Sequence, residues 1–221
     1  MPTETLLNGL QISTPGTLSF APTLRTRSFV LERERGNLGI YGSPALPPGD
    51  VARVYVNHWH EVAVGETGEP AGPLFVHAAD RERVERNQHV RAAFSTRHML
   101  DDDFEAIPTP GHTPGATAFL WDSGASAQLA QRDSLTAREH RFLFTGDSLY
   151  LRDGEWVAAL LDSSDRPSYT ESLELIRELD FDVLVPWAAT VDQPYFALTD
   201  REDTHRRIDA ILDRFARGED H

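Results

Sequence analysis

Three histidines and one aspartate stand out by type and spacing. His58 and His60 lie in Asn57-His58-Trp59-His60-Glu61-Val62-Ala63, and His112 lies in Thr109-Pro110-Gly111-His112-Thr113-Pro114-Gly115. Asp147 closes the run Phe144-Thr145-Gly146-Asp147. Three neutral imidazoles at about 2.0–2.1 Å are a sufficient zinc shell and leave a fourth position for water. Such a water can have a pKa near ~7 and attack as hydroxide. His58, His60 and His112 can make that shell, and Asp147 adds a carboxylate.

The elements around these residues must bring them to one place. Val51 to Val56 is an apolar, β-branched run that reads as a buried strand. With the backbone still extended past Asn57, His58 and His60 share one face and Glu61 points away, solvated or behind the ligands. Thr26 to Glu32 and Leu38 to Tyr41 read as strands joined by a turn at Gly36-Asn37. Leu74 to His77 reads as a strand and Ala79 to Arg91 as a helix. Phe104 to Pro108 leads into the Gly111-His112 turn, and Ala116 to Trp121, Arg141 to Thr145 and Val183 to Pro186 read as strands. The polar stretch from Asp122 to His140 reads as a mobile excursion with one helical turn. Ser168 to Glu171 and Thr199 to Glu202 read as capping boxes, opening helices to about Leu179 and Arg217. Leu173, Ile176 and Leu179 stripe the first helix; Ile208, Ile211, Leu212 and Phe215 stripe the second. Asp162 and Asp165 read as surface turn residues.

Composition closes several routes. The chain has no cysteine, so disulfides, thiol nucleophiles and thiolate ligands are excluded. All 21 basic residues are arginine, which excludes Schiff-base lysine chemistry and a phosphate-loop lysine. The net charge of −14 opposes binding to nucleic acid. No run is long and apolar enough for a membrane helix, and Met1 to Phe20 lacks the basic start and apolar stretch of a signal peptide. The expectation is a cytoplasmic protein acting on a small molecule, with no nucleic-acid or membrane partner. Its oligomeric state is not set by the sequence.

Taken together, the His58/His60 run, the Gly111-His112-Thr113-Pro114-Gly115 turn and the Thr145-Gly146-Asp147 turn resemble the metal-site landmarks of the metallo-β-lactamase superfamily, most closely its small glyoxalase-II-like hydrolases. The resemblance runs from about Thr26 to Thr190. It implies an α/β, four-layer αββα sandwich, with residues 1–221 as one domain and the metal site at one edge. It also implies His58, His60, His112 and Asp147 as metal ligands, with Asp147 as the catalytic carboxylate, a fourth ligand or an orienter of water.

The departures matter as much as the matches. The family's first run reads His-x-His-x-Asp-His, and Val62 and Ala63 stand at its Asp and second His. A late histidine of the family falls at Ala188, preceded by Trp187 in place of glycine. An aspartate that often follows the early strand pair is replaced in Ile40-Tyr41-Gly42-Ser43. Of the second metal's four usual ligands only Asp147 remains. The resemblance therefore implies one divalent metal, zinc first, and hydrolysis of a small ester, thioester or amide. Two other readings stay open. One is a non-catalytic member whose site is a relic or holds no metal. The other is a mono-iron dioxygenase-like protein, using His58, His112 and Asp147 as a two-histidine, one-carboxylate triad. Trp187 is expected to fill or border the second-metal space, with Asp147 as a candidate acceptor for its N–H. His77 reads as structural.

Overall fold

The computed structural model describes residues 5–7, 9–64, 72–125 and 140–219. Two sheets face each other. One has seven strands in the order Thr5–Leu7, Leu10–Ile12, Phe29–Leu31, Leu38–Ile40, Arg53–Tyr55, Leu74–His77, Val90–Phe94. The other has six, in the order His98–Leu100, Phe104–Pro108, Thr117–Asp122, Arg141–Gly146, Val183–Pro186, Ala197–Leu198. A five-stranded sheet, Glu155–Val157, Tyr150–Arg152, Ala188–Thr190, Ala21–Thr26, Gly16–Leu18, completes the strands. There are four helices among the described residues: α1 His60–Ala63, α2 Arg81–Val84, α3 Arg166–Arg177 and α4 Arg201–Ala216.

Period-two alternation explains the layering. In Thr117–Asp122, Phe119 and Trp121 enter the core between the sheets, while Ala118 and Leu120 face the helices. The neighbouring strands repeat this: Phe142, Phe144, Val183 and Val185 point inward, and Leu143 and Leu184 point outward. Tyr169, Leu173 and Ile176 of α3 and Ile208, Ile211 and Phe215 of α4 cover that outer face. Val62 of α1 and Val84 of α2 pack on the far side of the seven-stranded sheet with Val54, Val56 and Val76. The layers run helix, sheet, sheet, helix, as the α/β sandwich expectation has it.

Strand direction places the site. Phe104–Pro108 and Arg141–Gly146 are both antiparallel to Thr117–Asp122, and Val183–Pro186 is parallel to Arg141–Gly146. Their C-terminal ends therefore share one edge. In the facing sheet Leu38–Ile40, Arg53–Tyr55 and Leu74–His77 are parallel and end together.

Several expectations are corrected. The run from Ala79 to Arg91 holds only the single turn of α2, although its Arg81–Glu85 and Arg86–Glu82 pairs do form at 2.9 and 3.1 Å. Val90–Phe94 instead pairs in parallel with Leu74–His77, so tertiary pairing overrides local propensity. Thr26 ends a strand of the five-stranded sheet rather than starting the Phe29–Leu31 strand. Helix α3 is capped three residues before the box read and α4 one residue after it. Asp165 accepts from Ser168 N at 3.2 Å and Asp200 from Asp203 N at 2.8 Å, carboxylates doing what Ser168 and Thr199 were expected to do. Asp165 is thus a helix cap, not an ordinary turn residue. Apart from a 3-10 turn at Ser123–Ala125, the excursion expected up to His140 lies outside the described residues. Among the described residues no helix is long and apolar enough to cross a membrane.

Candidate metal centre

His58, His60 and His112 form a near-equilateral triangle. Their ring centroids are 5.1, 4.9 and 5.0 Å apart, and one nitrogen from each ring lies within 4.8 Å of the others. The histidines converge for a different reason from the one the spacing suggested. The backbone does not stay extended: Trp59 is already helical and His60 opens α1. The turn of helix, not strand alternation, swings His60 toward His112, whose Nε2 faces His60 Nδ1 at 3.0 Å.

Hydrogen bonds on the outer nitrogens decide which atoms face inward. His112 Nδ1–H donates to Ala159 O at 2.6 Å, which leaves Nε2 as the inward lone pair. His58 Nδ1–H donates to Asn57 Oδ1 at 2.9 Å, with Glu61 Oε1 at 3.3 Å, which turns its Nε2 inward as well. Asp147 Oδ2 stands 3.5 Å from His58 Nε2 and 3.9 Å from His112 Nε2.

Two buried carboxylates hold this geometry. Glu61 was expected to be solvated or to lie behind the ligands; it is fully buried. It accepts from Gly42 N at 2.6 Å, Asn57 N at 2.9 Å and His58 N at 3.2 Å. It therefore stands against the turn after Leu38–Ile40, where the family's early aspartate is missing. Asp80 was not singled out at all. It leads into α2 without capping it. Its Oδ2 accepts from Trp59 N at 3.1 Å and Thr113 Oγ1 at 2.7 Å, and its Oδ1 from Gly115 N at 3.0 Å. One carboxylate thus ties the His58–His60 loop to the His112 loop. The only sequence signal was an aspartate at a helix start, which reads first as a cap.

Close approach fixes two glycines. Gly146, at φ 58°, leaves room for the Asn57 side chain where a Cβ would collide with it, and Gly111, at φ 141°, does the same against Tyr169. Tyr41 supports the Asp147 turn: its hydroxyl donates to Val185 O at 2.6 Å and accepts from Gly146 N at 3.0 Å.

The charges follow from this packing. Burial works against a charged His58, but the Asp147 and Glu61 carboxylates, 3.5 and 3.3 Å from its ring nitrogens, outweigh it and raise the His58 pKa to about 10. Burial and then the His58 charge push His60 down to about 3 and His112 to about 4. Asp147 is held below the usual carboxylate range because the His58 ring beside it overcomes its burial, whereas burial raises Glu61. Because the His112 Nδ1–H is spent on Ala159 O, its Nε2 accepts from His60 Nδ1–H at 3.0 Å when no metal is bound.

The donor set fits a divalent cation. His58 Nε2 and Asp147 Oδ1 are buried with no hydrogen-bond partner among the described residues, a costly state for polar atoms unless something else binds there. A tetrahedral shell with bonds of about 2.0–2.1 Å sets its nitrogens about 3.3 Å apart, close to the 3.0 Å His60–His112 spacing. Imidazole and carboxylate donors suit zinc or iron alike.

The second-metal positions are built otherwise. Val62 packs into the outer core, and Ala188 lines a cavity together with His60, His112, Asp147 and Trp187. Trp187 stands edge-on to His58 at 5.5 Å. Its N–H donates to Ser43 O at 2.6 Å, so Asp147 is not its acceptor. His77 lies apart from the cluster, its Nδ1 accepting from Ala79 N at 3.2 Å.

The metallo-beta-lactamase superfamily model matches residues 132–188, a span that includes Asp147 and Trp187 but none of the three histidines. None of the curated proteins matches the sequence. Solved structures do match. A subclass B3 metallo-beta-lactamase of Bradyrhizobium japonicum is 14% identical, with a TM-score of 0.61 over 99% of this chain and 93% of that one. A metallo-beta-lactamase from Pontibacter korlensis is 13% identical, with a TM-score of 0.63 over 96% and 98%. An archaeal metallo-beta-lactamase superfamily protein from Sulfolobus tokodaii is 16% identical, with a TM-score of 0.59 over 92% and 86%. At these identities the structural likeness is one of fold.

Proposed function

We propose, from the premise that this chain belongs to the metallo-β-lactamase superfamily by its fold and its family-model match, that it hydrolyses a small ester, thioester or amide with one divalent metal, zinc. The observation that carries the reading is the convergence of His58, His60 and His112 beside Asp147, with His60, His112 and Asp147 lining a cleft. A divalent cation held there supplies Lewis acidity, bringing the pKa of a water to near ~7. The rest is the work of the chain. Asn57 and Ala159 fix the His58 and His112 rings through their outer nitrogens. Asp147 has an unpaired buried oxygen with which to accept and orient a water proton. Hydrolysis adds that water's oxygen to the acyl carbon and breaks its C–O, C–S or C–N bond. The leaving group takes a proton, for which Asp147 is the nearby carrier.

A second reading, a cleft that binds without catalysis, draws support from the His58–Asp147 ion pair, which balances charge with no metal present. Reconstitution separates the two. Metal-stripped protein is refilled with zinc or, anaerobically, with ferrous iron, then assayed on ester, thioester and amide panels. The hydrolase reading expects turnover with zinc that Asp147→Asn lowers by at least about a hundredfold. Stoichiometric zinc with no turnover of any panel member supports the binding reading instead. Oxygen consumption with iron alone favours the dioxygenase reading.

A further inference from the structure

The cleft above the histidines has a volume of about 470 Å³, room for more than a reacting carbonyl. Beyond the cluster its walls are apolar: Leu18, Phe20, Leu24, Leu160 and Leu161, with Trp187. Phe20 sits at the tip of the hairpin formed by Gly16–Leu18 and Ala21–Thr26 and is 69% exposed; Leu161, on the segment after Ala159, is 43% exposed. Two large side chains of this kind at the mouth of one cleft form a surface that gains from being covered. Cationic groups are missing from it. No arginine is among the described lining residues, and the chain has no lysine. The nearest arginines stack on aromatic rings of the cleft wall, Arg83 over Trp59 at 4.8 Å and Arg152 over Tyr150 at 6.0 Å, and neither lines the cleft itself. Asp147 lies at the cleft floor, and the chain carries a net charge of −14. Away from the metal position, an anionic group lying along these apolar walls would be desolvated with no lining arginine or lysine to pair with it.

We infer that the part of the substrate held by this cleft is uncharged and apolar, an alkyl or aryl acyl group that runs from Asp147 outward between Phe20 and Leu161. Those two residues set its length. The identity of the bond cut rests on the hydrolase reading; the nature of the group held does not.

The test uses two readouts. In the first, N-phenyl-1-naphthylamine, which is uncharged, and 8-anilinonaphthalene-1-sulfonate, its anionic counterpart, are titrated by fluorescence. Energy transfer from the cleft residues Trp59 and Trp187 reports on location. The uncharged probe is expected to bind at least about tenfold more tightly, and Phe20→Ser with Leu161→Ser, both at exposed positions, to remove that margin. Equal binding of the sulfonate, or an unchanged uncharged-probe affinity in the double variant, overturns the inference. In the second, zinc-loaded protein is given p-nitrophenyl acetate, octanoate and succinate. A preference for octanoate of at least about tenfold in kcat/KM, lost in the double variant, supports the inference. Equal rates on all three overturn it and leave the hydrolase reading standing. No turnover, together with selective binding of the uncharged probe, overturns the hydrolase reading and supports the apolar cleft.

Discussion

The run Asn57–Ala63 has two ends built on opposite principles. At its start Asn57, His58 and Glu61 are fully buried polar groups tied to one another and to Gly42 by hydrogen bonds of 2.6–3.3 Å. Two residues past His60, Val62 packs against Val54, Val56 and Val76 as ordinary core, and across the cleft Trp187 and Ala188 are apolar too. Burying polar groups costs free energy unless each finds a partner. The first end meets that cost with dedicated carboxylates, yet leaves His58 Nε2 and Asp147 Oδ1 unpaired. The second end spends nothing on polarity. The contrast explains how the histidine end can hold its geometry independently of the apolar end. The half with its own buried scaffold keeps its geometry whatever fills the neighbouring space.

The largest expected effect comes from attacking the apolar half. Trp187 is a buried part of the central core, and Trp187→Gly is expected to destabilise the fold by about 4 kcal/mol, read by chemical denaturation. Restoring Val62→Asp, Ala63→His and Ala188→His without it is expected to leave zinc stoichiometry unchanged, because the new aspartate would enter the outer valine cluster and Trp187 would still border the space. Two zinc ions bound by that triple variant would erase the contrast between the halves.

Next comes the polar half. Glu61→Ala strips the acceptor from three backbone N–H groups, two of them on the His58 loop, and should cost about 3 kcal/mol. A loss below about 0.5 kcal/mol would make Glu61 a bystander. Asp80→Asn keeps the volume but replaces one acceptor oxygen of the clamp with a donor. Zinc affinity should fall about 10–100-fold, a span of roughly 1.4–2.8 kcal/mol, with a smaller change in stability. An unchanged zinc affinity in isothermal titration would remove Asp80 from the site.

The smallest effect lies far from the cleft and serves as a reference. Buried Arg33 donates to Asp101 at 2.7 Å and, at 2.8 Å, to Asp103. The Arg33 bond holds the Asp101 carboxyl below its ordinary 3.8. A depressed folded pKa gives stability that is present above the unfolded value and lost as pH falls through the folded one. Asp101→Asn, which tolerates the left-handed φ of 58°, should therefore cost less than about 1 kcal/mol at pH 7 and nothing at strongly acid pH. A loss that is the same at both would assign its role to shape, not charge.

The sequence made the central strands and the two long helices legible through the unbroken apolar run Ala118–Trp121 and through Ile208, Ile211 and Phe215 on one helix face. It made the ligand loops legible through residue types that only Gly111, His112 and Gly146 satisfy in such turns. It hid what depends on distant partners. Ala79 to Arg91 looked helical because its arginines and glutamates lie in a helical pattern, and only pairing with Leu74–His77 makes Val90 and Arg91 the start of a strand. For Glu61 the sequence left open whether it was solvated or behind the ligands, and only its bonds to Gly42, Asn57 and His58 decide for the second. Asp80 went unnoticed because nothing local shows that its carboxylate reaches Thr113 and Gly115.

Metal stoichiometry reaches the central claim most directly. Protein incubated with excess zinc, desalted and subjected to elemental analysis should hold one ion per chain, and His112→Ala, treated identically, should hold close to none. Anomalous scattering at the zinc edge should place that ion between His58, His60 and His112. Two ions per chain, none at all, or one that survives His112→Ala would contradict the account of a single three-histidine site.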